Sequence, residues 1–189
     1  MSPPALTPPR WPSEILYTNT QKYHSSVTED VRLQLRNSAQ QLAKSQRSSG
    51  VRREQRSPVI IMRIKDEHHP ANGQCGLFAA KKLPPRSHII DYVGEVHCDE
   101  RVESDYDLSL LRMQDGLNVG VDATKMGNEA RFINDFRGIT ERPNVYFCES
   151  LDQTGKMCMS VWSGPDVIKK GDELLVSYGK GFWKARKPE

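Results

Sequence analysis

The chain has 189 residues, of which 37% are hydrophobic and 27% charged, with 13 glycines and 12 prolines. That composition suits one domain with a real core and is neither collagen-like nor wholly disordered. No apolar run approaches the roughly 18 residues of a membrane span, and Met1-Ser2-Pro3-Pro4-Ala5 lacks the charged-then-apolar start of a signal peptide, so a secreted or membrane-embedded protein is not expected. The formal net charge of +3 is uneven: residues 1–57 carry nine basic and four acidic side chains, residues 58–189 eighteen and twenty. A basic arm on a near-neutral body suits an acidic partner, or equally a solvated tail. Basic and aromatic residues do not interleave, so direct nucleic-acid reading is not expected.

Pro3, Pro4, Pro8, Pro9 and Pro12 favour an extended tail at the start of the chain. Ser26-Val27-Thr28-Glu29 fits a capping box. Val27, Val31, Leu35 and Leu42 then recur near helical spacing, with Leu33 off the stripe, which predicts a helix from about Thr28 to Arg47 ended by Ser48-Ser49-Gly50. Its apolar stripe is narrow, so it is expected to dock on a domain or a partner, a second copy of the chain included. Arg52, Arg53 and Arg56 suit a nuclear-import cluster or a plain linker.

From Pro58 the texture is that of short strands. Val59–Ile64, Gly76–Ala80, His88–Val93, Leu117–Val121, Val145–Cys148, Cys158–Trp162 and Leu174–Val176 are the candidates, punctuated by glycine. No strand alternates regularly with a long helix, which disfavours a doubly wound sheet and favours a mainly β domain of several small sheets. Cys75, Cys98, Cys148 and Cys158 form no CxxC pair and have no His at zinc-finger spacing, so reduced, mostly buried thiols and no metal site are expected. His68-His69 lies in a polar stretch, Lys65–Pro70, and reads as a solvated turn.

Walker, nucleophile-elbow and zinc-protease motifs are absent. Three stretches remain: Gln74–Ala79 with Ile90–Val96; Val121–Asp135, which contains Arg131-Phe132-Ile133-Asn134-Asp135; and Lys170–Gly179. In that order, and over roughly residues 58–183, they resemble the SET-domain protein lysine methyltransferases. The resemblance implies small sheets around a knot-like C-terminal crossing, with S-adenosylmethionine on one face and the substrate lysine entering a channel from the other. It implies a cofactor loop at Cys75, Gly76 and Leu77, with Gln74 where the family has glycine. It further assigns cofactor contacts to Tyr106, Arg131, Phe132, Asn134 and Asp135, the last standing where His is usual.

By the same resemblance Tyr178, in Gly171–Gly179, aligns the amine and the transferring methyl, and Tyr92 lines the same channel. Val176 occupies the place where the family often has a Phe or Tyr that limits the degree of methylation, which implies competence beyond monomethylation. Phe182 and Trp183 either fold over the adenine or anchor the core; no cysteine module flanks the domain. The organisation that follows is a Pro-rich tail, basic helix and linker over 1–57, a catalytic domain over 58–183 and a basic tail over 184–189. The implied activity is S-adenosylmethionine-dependent lysine methylation of a histone tail in the nucleus. The alternatives are a SET-fold pseudoenzyme or binding module, and a methyltransferase for a non-histone protein, for which the cytoplasm is also open.

Overall fold

The structure is a computed structural model and describes residues 7–45 and 57–186. Arg52, Arg53, Arg56, the Ser48-Ser49-Gly50 stop and the last three residues lie outside them. From residue 7 the N-terminal segment packs on the rest of the chain. It forms β1 (Leu16–Tyr17) and β2 (Lys22–Tyr23). The Trp11 ring packs edge-on against Tyr17 and Phe132, at centroid distances of 5.0 and 5.7 Å, and the Arg10 guanidinium donates to the Ile61 carbonyl at 2.9 Å. Pro8, Pro9 and Pro12 lie outside any helix. The pairing comes from distant strands that local sequence does not announce.

Helix α1 (Glu29–Ser45) follows. Thr28 caps it, its hydroxyl accepting the Val31 N–H at 3.4 Å. Ser26, the expected cap, instead donates to Asp99 and accepts the Cys98 N–H. Glu29 and Asp30 in the first turn and Lys44 in the last complement the helix dipole. Val31, Leu35 and Ala39 are buried, Leu42 is only half-buried and Leu33 is exposed. This face packs on the chain's own strands, one of the two dockings expected of a narrow stripe.

The remaining strands are β3 (Val59–Arg63), β4 (Cys75–Ala79), β5 (His88–Tyr92), β6 (Glu95–His97), β7 (Asp107–Arg112), β8 (Asn118–Asp122) and β9 (Met126–Gly127). After a 3-10 turn over Glu129–Phe132 come β10 (Asn134–Asp135), β11 (Val145–Leu151), β12 (Met157–Ser163), β13 (Leu175–Val176) and helix α2 (Gly179–Ala185). They make five small sheets: β2-β6-β8-β7, β11-β12-β5, β3-β4, β1-β9 and β10-β13. All seven strands expected from the sequence are present within a few residues. β1, β2, β6, β7, β9 and β10 were not expected. All but β6 and β7 are two-residue pairings, too short to carry a periodic signal.

One core joins the sheets, with Ile61, Leu77, Val96, Val119, Val121, Val161 and Leu174 all but inaccessible. Val27, Val31 and Leu35 belong to the same cluster, so α1 packs on the domain's core. Among the described residues no helix is long and apolar enough to cross a membrane. The cysteines are free thiols, but only Cys158 is buried; the other three are half-exposed.

The C-terminal crossing positions everything that follows. The stretch 172–178 is clasped on three sides. On one, the Leu174 N–H donates to the Leu77 carbonyl at 2.8 Å and the Ala79 N–H to the Asp172 carbonyl at 2.9 Å. On the second, β13 lies parallel to β10, pairing Leu175 with Asn134 and Val176 with Asp135. On the third, the Asn144 side chain donates to the Glu173 carbonyl at 2.7 Å and accepts the Leu175 N–H at 2.8 Å. A two-residue strand needs such partners, because its own ladder is too short to hold it.

Candidate active site

The crossing brings Tyr178 against the run Ile133-Asn134-Asp135. Its hydroxyl donates to the Ile133 carbonyl at 2.7 Å, and its backbone N–H donates to Asp135 Oδ2 at 2.7 Å. Asp135, 7% exposed, also accepts the Arg137 amide at 2.9 Å and the Trp183 indole N–H at 3.3 Å, and pairs with the Arg137 guanidinium at 3.1 Å. The residue that departs from the family's usual His is therefore a hub for four donor groups. Phe182 lies 4.7 Å from the Tyr178 ring and Trp183 stacks on it at 6.5 Å. Glycine-rich Gly179–Gly181 is a poor helix former. These rings, with Arg186 bonded to Asp105 at 2.7 Å and to the Ser104 carbonyl at 2.8 Å, hold α2 in place.

Tyr92, Tyr106, Arg131, Phe147, Tyr178 and Phe182 line a small cavity of about 70 Å³. The Tyr92 hydroxyl donates to the Tyr106 carbonyl at 2.7 Å, and its ring meets Phe147 edge-on. The Arg131 guanidinium lies 4.0 Å from the Tyr106 ring centroid, and its Nε donates to the Ala123 carbonyl at 2.9 Å. Burial pushes both the Tyr92 and the Tyr178 phenols well above the ordinary tyrosine value, and at Tyr178 the Asp135 carboxylate adds to the effect. Both are neutral donors across the physiological range. Asp105 and Asp107 also face this space, but Asp105 is paired with Arg186 and Asp107 with His97 at 2.8 Å.

Beside the cavity lies a polar cluster. The Asn134 side-chain amide donates to Glu173 Oε1 at 2.8 Å, and His69 Nε2 lies 3.0 Å from Glu173 Oε2. A Cβ at Gly76 would fall 2.6 Å from Glu173 Oε1 and 3.2 Å from Asn134 Nδ2. Only glycine leaves room for that pair. His69 is the residue the sequence missed. His68 is exposed in the expected polar turn, with 97% of its side chain accessible, whereas His69 has 7%; no local signal separates two adjacent histidines.

The fold thus gathers Tyr92, Tyr106, Arg131, Tyr178 and Phe182 around one cavity, and Gly76 with Asn134 next to it. The carbonyl of Leu77 is taken by Leu174, and Cys75 sits half-buried on β4 opposite Arg63. Phe132 packs on Trp11 and Arg131. Val176 is 2% exposed, its backbone paired with Asp135, and it does not line the cavity.

The family model of the SET domain matches residues 74–179, more than half of the chain. The chain belongs to the SET-domain family. The SET-domain region is 32% identical over 111 residues to histone-lysine N-methyltransferase set-2 of Caenorhabditis elegans, an alignment that takes in 54% of this chain and 7% of that protein. This SET-domain chain therefore spans only a small part of the curated relative's length. A partial structural likeness, with a TM-score of 0.49 and 21% identity over 67% of this chain and 24% of the other, is found to a crystal structure of KRYPTONITE in complex with mCHH DNA, an H3(1-15) peptide and SAH.

Proposed function

We propose that this SET-domain chain is an S-adenosylmethionine-dependent protein lysine N-methyltransferase acting on a histone tail. The observation that carries the reading is Tyr178, a neutral phenol fixed at both ends to the run that holds Asn134 and facing an aromatic cavity. The residues present suit the methyl donor: a carboxylate and an amide, those of Glu173 and Asn134, meet against the bare β4 backbone at Gly76, and aromatic faces favour a sulfonium cation. Asn134, Glu173 and the β4 backbone at Gly76 are the groups to hold it, with Phe182 and Trp183 on the side of α2. Bound S-adenosylmethionine supplies an electrophilic methyl on a sulfonium sulfur.

The protein's own part is alignment. A cavity of about 70 Å³ between Tyr92 and Tyr178 suits the end of one side chain. Methyl transfer to lysine would need a neutral amine held in register more than it would need an acid or base. The phenols of Tyr92 and Tyr178 remain protonated, so they orient the amine and leave its proton to water. Aromatic walls desolvate the ammonium and lower its pKa. A histone substrate places the protein in the nucleus.

The test is a methylation assay of the full chain on separate core histones, read by mass spectrometry, with calorimetry of S-adenosylmethionine binding alongside. Methyl added to one histone supports the reading, and the product mass gives the degree of methylation. Cofactor binding with transfer only to non-histone protein redirects the substrate, and no cofactor binding overturns the reading.

A further inference from the structure

Four groups meet beneath β4, and the outermost comes from outside the matched SET region. His69 sits in the connection between β3 and β4, a loop whose ends are pinned by Ile64: its N–H donates to the Gln74 carbonyl at 2.9 Å, and its carbonyl accepts the Gly73 N–H at 3.0 Å. Gly73 turns the chain at φ +80, a conformation open to glycine. Within this loop the Ala71 N–H donates to His69 Nδ1 at 3.0 Å. An amide N–H only donates, so Nδ1 is an acceptor and the imidazole carries its proton on Nε2. That proton faces Glu173 Oε2 at 3.0 Å. The other carboxylate oxygen accepts from Asn134 Nδ2 at 2.8 Å. Because Nδ2 is held by Glu173, the amide oxygen of Asn134 points the other way.

We propose that His69 is a positioning residue for the methyl-donor site, fixing through Glu173 which way the Asn134 amide faces. The proposal rests on the reading of Asn134 as a cofactor ligand. An asparagine amide has two nearly isosteric orientations, one offering donors and the other an acceptor. Glu173 selects between them only while its own carboxylate is fixed. Gly76 blocks nothing on one side, so the carboxylate can approach it closely, and His69 ties down the far oxygen. Both side chains are about nine-tenths buried, where an unmade hydrogen bond is felt in full. The tether has a fixed tautomer and a fixed loop behind it, which makes it a preformed support rather than a contact recruited by the ligand.

Three substitutions separate this role from loop packing. His69→Asn places an acceptor near the position of Nδ1 and so keeps the Ala71 turn, but it is too short to reach Glu173. His69→Gln places a donor near the position of Nε2. His69→Ala removes both. With calorimetry using S-adenosylmethionine and S-adenosylhomocysteine, the Asn and Ala variants should bind about five- to tenfold more weakly, as expected for one buried hydrogen bond, and Gln should restore affinity to within about threefold of the parent chain. The Asn134 side-chain amide resonances of the ligand-free protein should shift in His69→Asn and return in His69→Gln. Parent-like affinity in His69→Asn overturns the proposal, as does equal loss in all three variants accompanied by equal falls in melting temperature. Asn134→Ala in parallel keeps the two readings apart. If it weakens binding while His69→Asn does not, the His69 role alone fails; if the parent chain binds neither ligand, the methyl-donor reading fails and takes this role with it.

Discussion

Tyr178 is anchored through its backbone to Asp135: the tyrosine N–H donates to Asp135 Oδ2 at 2.7 Å, on a carboxylate that also gathers Arg137 and the Trp183 indole. The phenol end is fixed two residues earlier in the same run, on the Ile133 carbonyl. Asp135→Asn removes the charge and replaces one acceptor oxygen with a donor. It should cost about 1–3 kcal/mol of stability, lower the melting temperature and reduce turnover at least tenfold, because α2 and Tyr178 lose a common support. A variant with parent-like turnover and melting would show that Asp135 is not the support described.

Tyr178→Phe keeps the ring, and with it the packing on Phe182 and Trp183, and deletes the hydroxyl. The fold and cofactor affinity should persist, while the methylation rate drops by about 10²-fold or more, the scale of one positioned group. Calorimetry and single-turnover rates on the same preparation give both numbers. Near-normal transfer would make Tyr178 a core residue.

The pH profile follows from the neutral phenols. Burial, with Asp135 added at Tyr178, raises both phenol pKa values, so neither tyrosine loses its proton between pH 6 and 9. The titrating group is then the substrate lysine, near 10.4 in water and lower in the cavity. Activity should climb steadily from neutral pH into the alkaline range with a single ascending limb. A bell-shaped profile with a fall below pH 9, in protein that remains folded, would assign a proton-transfer role to a protein group.

Gly76→Ala puts a methyl 2.6 Å from Glu173 Oε1, too close for a carboxylate held from two sides. The strand must shift or the Glu173–Asn134 pair must break. A stability loss of about 1–3 kcal/mol is expected, with cofactor affinity down at least tenfold. Denaturant melts and calorimetry measure the two. Retention of both would show that the cluster relaxes freely.

Asp122 predicts acid sensitivity. Burial opposes its charge, but the hydroxyl and N–H of Thr124, with Arg101 and Ser104, outweigh that and hold its pKa below the ordinary carboxylate value. Bonds of 2.7 and 2.9 Å to Thr124 and 3.0 Å to Arg101 carry the effect. A lowered folded-state pKa adds stability that is complete above the unfolded value of about 3.9 and is lost as pH falls through the lower folded one. Asp122→Asn should therefore melt earlier than the parent at pH 7, by about 1–3 kcal/mol, and the gap should close below pH 4. A gap independent of pH would place the cost in packing.

Most of the expected strands and α1 were legible because their apolar residues meet the domain's own core; β13, only two residues long, carries no repeat and was read from its apolar residues alone. Val59–Ile64 and Cys158–Trp162 read as strands from their residues alone, and Val31 and Leu35 as one face of a helix. The motif residues Gly76, Arg131, Asn134 and Tyr178 were legible because a family resemblance needs only order and spacing. Their meeting was not. Asn134 and Glu173 are 39 positions apart and touch only because β13 lies parallel to β10. Tertiary structure also made Asp135 a hub, put Trp11 under Phe132 and separated His69 from His68. Each of these depends on a partner supplied from far along the chain, and two-residue strands or single side chains hold too little periodic information to name that partner in advance.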